Sequence, residues 1–391
     1  MGQPTEYEGR SIRTLLAMAC DGGGPSQTCI NIMSGAYRAG YVVDIFANRR
    51  RIKRPDVPMI LSLPGPILAK LPYRKVAAQA SHILERHFLR TIQPGEIAYL
   101  WPAASLKIHR LLYERGIPVV MEGINTRMAS AREILDAAYE DFGVEPSHGI
   151  TDERIAEEEA KYHYSQAIFA PNRHVESALT GSPLENRILS SSYGVDTKKA
   201  SPPRDYPVKE SLTFMFCGYA CVRKGMHFLL DAWQNISGPH RLQIVGNVEP
   251  IIAERYATLL NSGRVELVGF VDDVHHYFSQ ADVFVMPSLE EGGPQVTYEA
   301  AVHGLPIIAS PMGASRLGDE EGTMLIVEPS DRDAFEDALD QMIRSVELRR
   351  ALGMRARAHV PYFDWDAVGA RRAEQLQTTK LLTGYFCGCR P

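Results

Sequence analysis

Ser288-Leu-Glu-Glu-Gly-Gly-Pro-Gln-Val-Thr-Tyr-Glu-Ala-Ala-Val-His-Gly-Leu-Pro306 is the stretch on which the reading of this chain turns. It follows Val283-Phe-Val-Met-Pro287, an apolar run with the length and composition of a buried strand. After an acidic, glycine-rich loop the pattern becomes helical and stops at Gly304, with Pro306 just beyond. Pro294 suits a first helical turn, where its missing N–H is no loss. Glu291 therefore stands just ahead of a helix N-terminus, and Glu299 more than a turn inside the helix. Such a junction aims backbone N–H groups and a partial positive charge at an anion. Two carboxylates flanking an anion site suit a phosphate joined on both sides to hydroxyl-rich sugars, which is the chemistry of a nucleotide-sugar.

Outward from this element, strand and helix patterns alternate along the whole chain, as parallel α/β architecture requires. In the first half, strands are expected over 15–20, 42–47, 98–101, 118–121, 167–170 and 188–192. Helices are expected from the Asp21-Gly-Gly-Gly-Pro-Ser26 loop to about 39, then over 76–91, 104–115, 130–142 and 151–164. The polar, proline-rich stretch 194–204 reads as a linker. In the second half, strands are expected over 212–217, 241–245, 265–268, 283–286, 306–310 and 324–327. Helices fall between them at 225–236, 250–261 and 273–280, then at 331–345 and about 364–382. At 391 residues two cores are expected rather than one. The boundaries follow: a first domain over 1–197, a second over 198–363, and a closing segment over 364–391 that packs back on the first. Two doubly wound halves leave a cleft at the carboxyl ends of their strands, where ligands bind.

With 45% hydrophobic and 23% charged residues and no apolar run long enough to span a bilayer, the chain has the composition of a soluble globular protein. No signal pattern opens it, because Arg10 and Arg13 directly precede a strand, so a cytoplasmic location is expected. Cys20 and Cys217 sit in apolar runs and read as core packing; Cys387-Gly-Cys389 reads as a frayed end. The net charge of −5 hides an asymmetry: 16 Lys/Arg against 8 Asp/Glu over 1–120, and 6 against 14 over 121–197. That balance argues against nucleic acid as a partner. Between 49 and 75, basic residues from Arg49 to Arg54 alternate with apolar ones such as Ile60, Leu68 and Tyr73, a pattern suited to peripheral contact with an anionic membrane. The twelve histidines show no metal-ligand spacing, and no metal is expected: His148 and His275-His276 read as surface residues, and Asp272-Asp273 as a helix N-cap.

Four pieces of the second half, taken in order, carry a resemblance: Phe216-Cys-Gly-Tyr-Ala-Cys-Val-Arg-Lys-Gly225, Val245-Gly-Asn247, Val268-Gly-Phe-Val-Asp-Asp273 and Glu291-x7-Glu299. Together with Ala167-Ile-Phe-Ala-Pro171, Tyr193-Gly-Val-Asp196 and Phe363-Asp-Trp-Asp366, they resemble the retaining glycosyltransferases of family 4. The likeness covers nearly the whole chain and implies the GT-B fold, two Rossmann-like domains facing a central cleft. It implies transfer of a sugar from a nucleoside-diphosphate sugar (UDP- or GDP-linked) to a glycan, a lipid-linked glycan or a small hydroxylated acceptor, without a metal and with retention of configuration. Carried over residue by residue, Glu291 sits at the transferred sugar, Glu299 holds the ribose hydroxyls, and Arg223 and Lys224 neutralise the departing diphosphate. Gly22, Gly23 and Gly24 border the donor phosphates, and Gly218, Gly246, Asn247, Phe270, Gly292, Gly293, Pro294, Gln295 and Val296 complete the donor site. Glu122 or Asn125, in the strand end Val119-Val-Met-Glu-Gly-Ile-Asn-Thr126 that lacks the family's histidine, would meet the acceptor. Two departures stand out: Tyr219 occupies the position after the strand glycine where many relatives carry arginine, and Pro294 removes a backbone donor that Gln295 would replace with its side chain. A catalytically silent glycan- or partner-binding protein, or a nucleotide-sugar epimerase or phosphorylase, are the competing readings.

Overall fold

A computed structural model describes residues 9–62 and 72–385. Among the described residues fifteen strands run in chain order: β1 (Ile12–Leu15), β2 (Ala19–Cys20), β3 (Val43–Ala47), β4 (Arg49–Arg50), β5 (Met59–Leu61), β6 (Ile97–Leu100), β7 (Val119–Glu122), β8 (Ala167–Ala170), β9 (Ile188–Ser190), β10 (Thr213–Cys217), β11 (Arg241–Val245), β12 (Val265–Gly269), β13 (Val283–Met286), β14 (Ile307–Ala309) and β15 (Leu325–Ile326). They form a seven-stranded sheet in the order β5-β3-β1-β6-β7-β8-β9 and a six-stranded sheet in the order β12-β11-β10-β13-β14-β15. Every pairing in both is parallel. Central strands such as β6, β7, β8 and β13 are buried at every residue, because helices cover both faces. Each fully buried Val, Leu, Ile or Phe there contributes about 1.5–3 kcal/mol.

The closing helix Trp365–Thr378 leaves the second sheet and lies along helix Gly24–Arg38 of the first. Its anchor is Arg372, 1% exposed, whose Nη1 donates to Glu122 Oε2 at 2.6 Å and to Tyr99 Oη at 3.0 Å. Nε and Nη2 of the same guanidinium donate to the Ser192 carbonyl at 3.2 and 2.9 Å, and its plane lies over the Phe169 ring. A buried charge needs this degree of satisfaction. The carboxylate expected at the acceptor thus ties the returning helix to the first sheet. Burial and the Glu122 charge also raise the Tyr99 hydroxyl well above the ordinary tyrosine range.

Several elements differ from the sequence expectation. The apolar run 15–20 is not one strand: Ala17 turns left-handed at φ 53°, and β2 steps aside to pair with β4. The turned Ala17 carbonyl accepts from Asn48 Nδ2 and Ser81 Oγ, both at 3.1 Å, which compensates the unfavourable φ. The helix expected over 250–261 breaks at Tyr256 into Pro250–Arg255 and Ala257–Leu260. β5 and helix Val346–His359 were not expected. The latter hides because Ser345 both ends the preceding helix, Arg332–Arg344, and caps the new one by accepting from Leu348 N at 3.1 Å, leaving no turn sequence between them.

Candidate functional site

A cluster of two cations and two carboxylates forms where the ends of β10 and β13 meet. After β10, Val222–Lys224 makes a single tight turn that ends at Gly225, left-handed at φ 66°. A Cβ there would sit 2.0 Å from the Pro287 carbonyl oxygen, so only glycine lets the Arg-Lys turn lie against the end of β13. That contact brings both cations onto the acidic loop. Arg223 Nη1 donates to the Glu290 carbonyl at 3.0 Å and lies 3.3 Å from Glu290 Oε2 and 3.6 Å from Glu291 Oε1. Lys224 Nζ pairs directly with Glu291 Oε1, which also accepts from Ser288 Oγ at 3.0 Å. Burial, reinforced by the Arg223 charge, pulls the Lys224 ammonium down to about 7.

The first domain closes over this cluster. A Cβ on Gly292 would fall 1.3 Å from the Ile124 carbonyl oxygen, and one on Gly293 would fall 2.9 Å from the Tyr193 ring. Asn172 Nδ2 donates to the carbonyls of Gly292 at 2.8 Å and Glu291 at 3.3 Å, and Thr126 N donates to Glu290 Oε1 at 3.1 Å. Gln295 Nε2 reaches Thr28 Oγ1 at 2.7 Å. On one flank Arg316 pairs with Glu176. On another, Phe142 of the first domain sits under the Arg255 guanidinium at 3.6 Å and stacks on Tyr256.

Two cavities lie between the domains, the second of them lined by Arg223 and Glu290 of the cluster. One, of about 760 Å³, is lined by Gly22, Lys199, His275, Gln295 and Glu299 among others. Glu299 accepts no hydrogen bond from a described side chain, and burial raises its carboxyl to about 7 against the opposing pull of Lys199. The other, of about 490 Å³, joins Asn125, Tyr139, Arg154 and Met128 of the first domain to Tyr219, Arg223 and Glu290 of the second. Its far wall is held by Tyr139 Oη, 3.3 Å from Glu249 Oε1, whose other oxygen accepts from Val222 N at 3.0 Å. Among the described residues no group of three His, Cys, Asp or Glu could hold a metal ion.

Glu291, Arg223 and Lys224 therefore come together, Gly22 and Glu299 share one cavity, and Asn125 lines the other. Other expectations need correcting. Glu122 borders the second cavity, but it is 0% exposed and its carboxylate is bound to Arg372 and Tyr99. A Cβ on Gly246 would lie 2.0 Å from the Gly218 carbonyl oxygen, so Gly246 serves a backbone approach at the carboxyl edge of the sheet, while one on Gly218 would meet only the Phe216 ring at 3.8 Å. Asn247 and Phe270 are exposed and line neither cavity. The Gln295 amide is engaged by Thr28, and Arg49 is 3% exposed with its guanidinium over the Tyr73 ring. Leu68 and the rest of 63–71 lie outside the described residues, as do Cys387 and Cys389. His275 is half-buried in the Glu299 cavity rather than a surface residue, while Asp273, expected to cap the helix, stands one residue ahead of the cap position at Val274 and accepts from His275 N at 3.0 Å. Sequence reading passed over Glu290, Asn172 and Lys199; the adjacency of Glu290 to Glu291 was the available signal for the first.

Residues 211–345 match the family model described as glycosyl transferases group 1. The chain is 31% identical over 182 residues to the lipopolysaccharide core biosynthesis glycosyltransferase LpsE of Rhizobium meliloti (strain 1021), a match covering 44% of this chain and 51% of that protein. It is 28% identical over 231 residues to a GDP-mannose-dependent monoacylated alpha-(1-6)-phosphatidylinositol monomannoside mannosyltransferase of Corynebacterium glutamicum, covering 53% and 59%. The chain thus spans about half the length of the curated relatives it matches. Among solved structures it is similar to sucrose-phosphate synthase from Thermosynechococcus elongatus, with TM-score 0.71 and 20% identity over 94% of this chain and 98% of that one. It is likewise similar to Anabaena Alr3699/HepE in complex with UDP, with TM-score 0.70 and 15% identity over 94% and 100%. The fold is GT-B: two parallel-sheet, Rossmann-like domains facing a cleft.

Proposed function

We propose that the chain transfers a sugar from a nucleoside-diphosphate sugar to a hydroxyl of a carbohydrate or lipid-linked acceptor, with retention at the anomeric carbon. The observation that carries this reading is the Arg223–Lys224–Glu290–Glu291 cluster at the closed cleft, which sets two cations against the carboxylate that would face the sugar. Bond breaking leaves charge on the β-phosphate, and cations fixed beforehand stabilise that charge more than the ground state. Glu299, in the 760 Å³ cavity, is an acceptor suited to the ribose hydroxyls. The 490 Å³ cavity beside Arg223, lined by Asn125, Met128 and Tyr139 among others, would receive the acceptor. Likeness to a lipopolysaccharide core enzyme and a phosphatidylinositol mannoside enzyme supports an acceptor of this kind.

A lipid-linked acceptor would place the enzyme in the cytoplasm at the inner membrane face, docked through 49–75. Arg51, Lys53 and Arg54 are exposed and available for such docking. Neutralising these three should lower sedimentation with anionic vesicles; unchanged binding would remove the membrane contact. The function itself is tested by incubating the chain with a panel of UDP- and GDP-sugars and following donor consumption. Lys224→Ala and Glu291→Ala should each slow turnover by about 10²–10³, as loss of one charge-stabilising contact does. Parental rates in both variants would sink the site, and a product of inverted anomeric configuration would sink retention.

A further inference from the structure

The 760 Å³ cavity contains a polar group that nothing above has used. His275 lines it, and its Nδ1 lies 2.9 Å from His303 Nε2, while His303 Nδ1 lies 2.5 Å from Ser201 Oγ. Hydrogen bonds among the described residues leave His275 Nε2 unused. The two inner members of this chain are held firmly. His303 is 2% exposed and stacked on Phe278, with ring planes 9° apart. The Ser201 carbonyl is bound by Arg357, and Arg204 Nε donates to the His303 carbonyl at 3.1 Å. Burial pushes His303 down to about 4, helped by the charges of Arg204 and Arg357, and burial also lowers His275. Both rings are therefore neutral at pH 7, each with one N–H.

A neutral chain of this kind has two polarities. Ser201 can donate to His303, His303 to His275, and His275 Nε2–H then donates into the cavity. In the reverse order His275 donates to His303, His303 to Ser201, and His275 Nε2 accepts from the cavity. Position sets what it would meet. His303 follows the helix that carries Glu299, four residues further on, or about 6 Å along the axis. The His275 ring centroid is 5.2 Å from that of His303. Leading away from the phosphate cluster, the order is Glu291, Gln295, Glu299 and then the histidine pair.

We propose that His275 is a hydrogen-bonding contact for the base of the donor nucleotide, positioned by His303 and Ser201, and able to present either a donor or an acceptor to it. This rests on the nucleotide-sugar reading above, with ribose at Glu299. The base lies on the side of the ribose away from the diphosphate, which is where the histidine pair stands. His303 and Ser201 are positioning residues, since neither lines the cavity.

Calorimetric titration of the full chain with UDP, GDP and inorganic pyrophosphate tests it. His275→Ala should weaken the nucleoside diphosphate that the parent prefers by about tenfold, the worth of one hydrogen bond of about 1.4 kcal/mol, and leave pyrophosphate unchanged. His303→Phe keeps the stack on Phe278 and breaks the chain. It should cost binding less than His275→Ala and shift the ¹⁵N resonances of His275 toward a tautomer mixture, which a purely structural role would not do. Equal loss of nucleotide and pyrophosphate in His275→Ala, or no loss of either, overturns the proposal. A parent chain that binds neither nucleotide overturns the nucleotide-sugar reading itself, and this contact with it.

Discussion

Donor affinity should trace a bell against pH, peaking near 7. Two groups of the proposed donor site sit close to neutrality: burial and Arg223 bring Lys224 down to about 7, and burial brings Glu299 up to about 7. Their signs are opposite. The diphosphate stabilises the ammonium, so bound Lys224 titrates above 7 and binding weakens as pH rises past the free value. Ribose hydroxyls donating to Glu299 stabilise the carboxylate, so its bound value falls below 7 and binding weakens as pH drops. If the two titrate independently, about a quarter of molecules hold both charges at pH 7 and about 8% at pH 6 or 8. Kd should therefore rise about threefold one unit to either side and roughly tenfold over the next. Calorimetry with the intact nucleotide-sugar is the suitable assay, because its diesterified phosphates do not titrate in this range. Lys224→Arg keeps the charge without the titration and should flatten the alkaline limb; Glu299→Gln should flatten the acid limb and lower the peak. A parent profile flat from pH 5.5 to 8.5, or both limbs surviving in both variants, would refute the assignment.

Three further perturbations separate closure from stability. Gly292→Ala sets a methyl 1.3 Å from the Ile124 carbonyl oxygen, so the domains should part. Donor turnover should fall at least about a hundredfold, as misplacement by an ångström does, with a larger radius of gyration by X-ray scattering; parental values of both would refute it. Glu122→Gln leaves the Arg372 guanidinium buried without its anion and should cost about 3–5 kcal/mol in urea unfolding, most of it recovered in Glu122→Leu/Arg372→Met. A single variant as stable as the parent would show the pair to be dispensable. Phe142→Ala removes the Arg255 and Tyr256 contacts at the domain interface and should cost about 3–5 kcal/mol by thermal or urea unfolding, with Phe142→Leu milder. Equal stability of all three forms would show that this interface carries none of the fold.

Local pattern carried most of the fold and half of the site. Apolar runs such as 283–286 became strands because a parallel sheet covered on both faces demands such runs, and the Glu291-to-Glu299 junction became a loop and helix start because glycine and proline act on their own neighbours. What the sequence hid depends on partners far along the chain. Glu122 looked free at a strand end, yet its partner is 250 residues away on the returning helix. His303 looked like an ordinary helix terminus, and only the fold sets it between His275 and Ser201. Ala17 interrupts a run that composition alone reads as one strand, because Asn48 and Ser81 reach its carbonyl from other elements.

The glycines show where reading by residue type stops. Gly246 and Gly292 each stand in a loop at the carboxyl end of a strand, and each reads as room for a ligand. In the fold the missing Cβ of Gly246 makes room for Gly218, and that of Gly292 for Ile124, at 2.0 and 1.3 Å. A glycine there says that something approaches closely, not that the something is a substrate. Gly22 differs: it borders the Glu299 cavity, and a Cβ on it would meet only the Ile52 methyl, at 3.2 Å. Charge separates the two cases better than glycine does. Arg223 and Lys224 are brought side by side against Glu290 and Glu291, where the Arg223 charge adds to burial in lowering the Lys224 ammonium. Two adjacent cations, one lining a cavity and the other held down to about 7, suit a diphosphate, whose arrival would favour the ammonium.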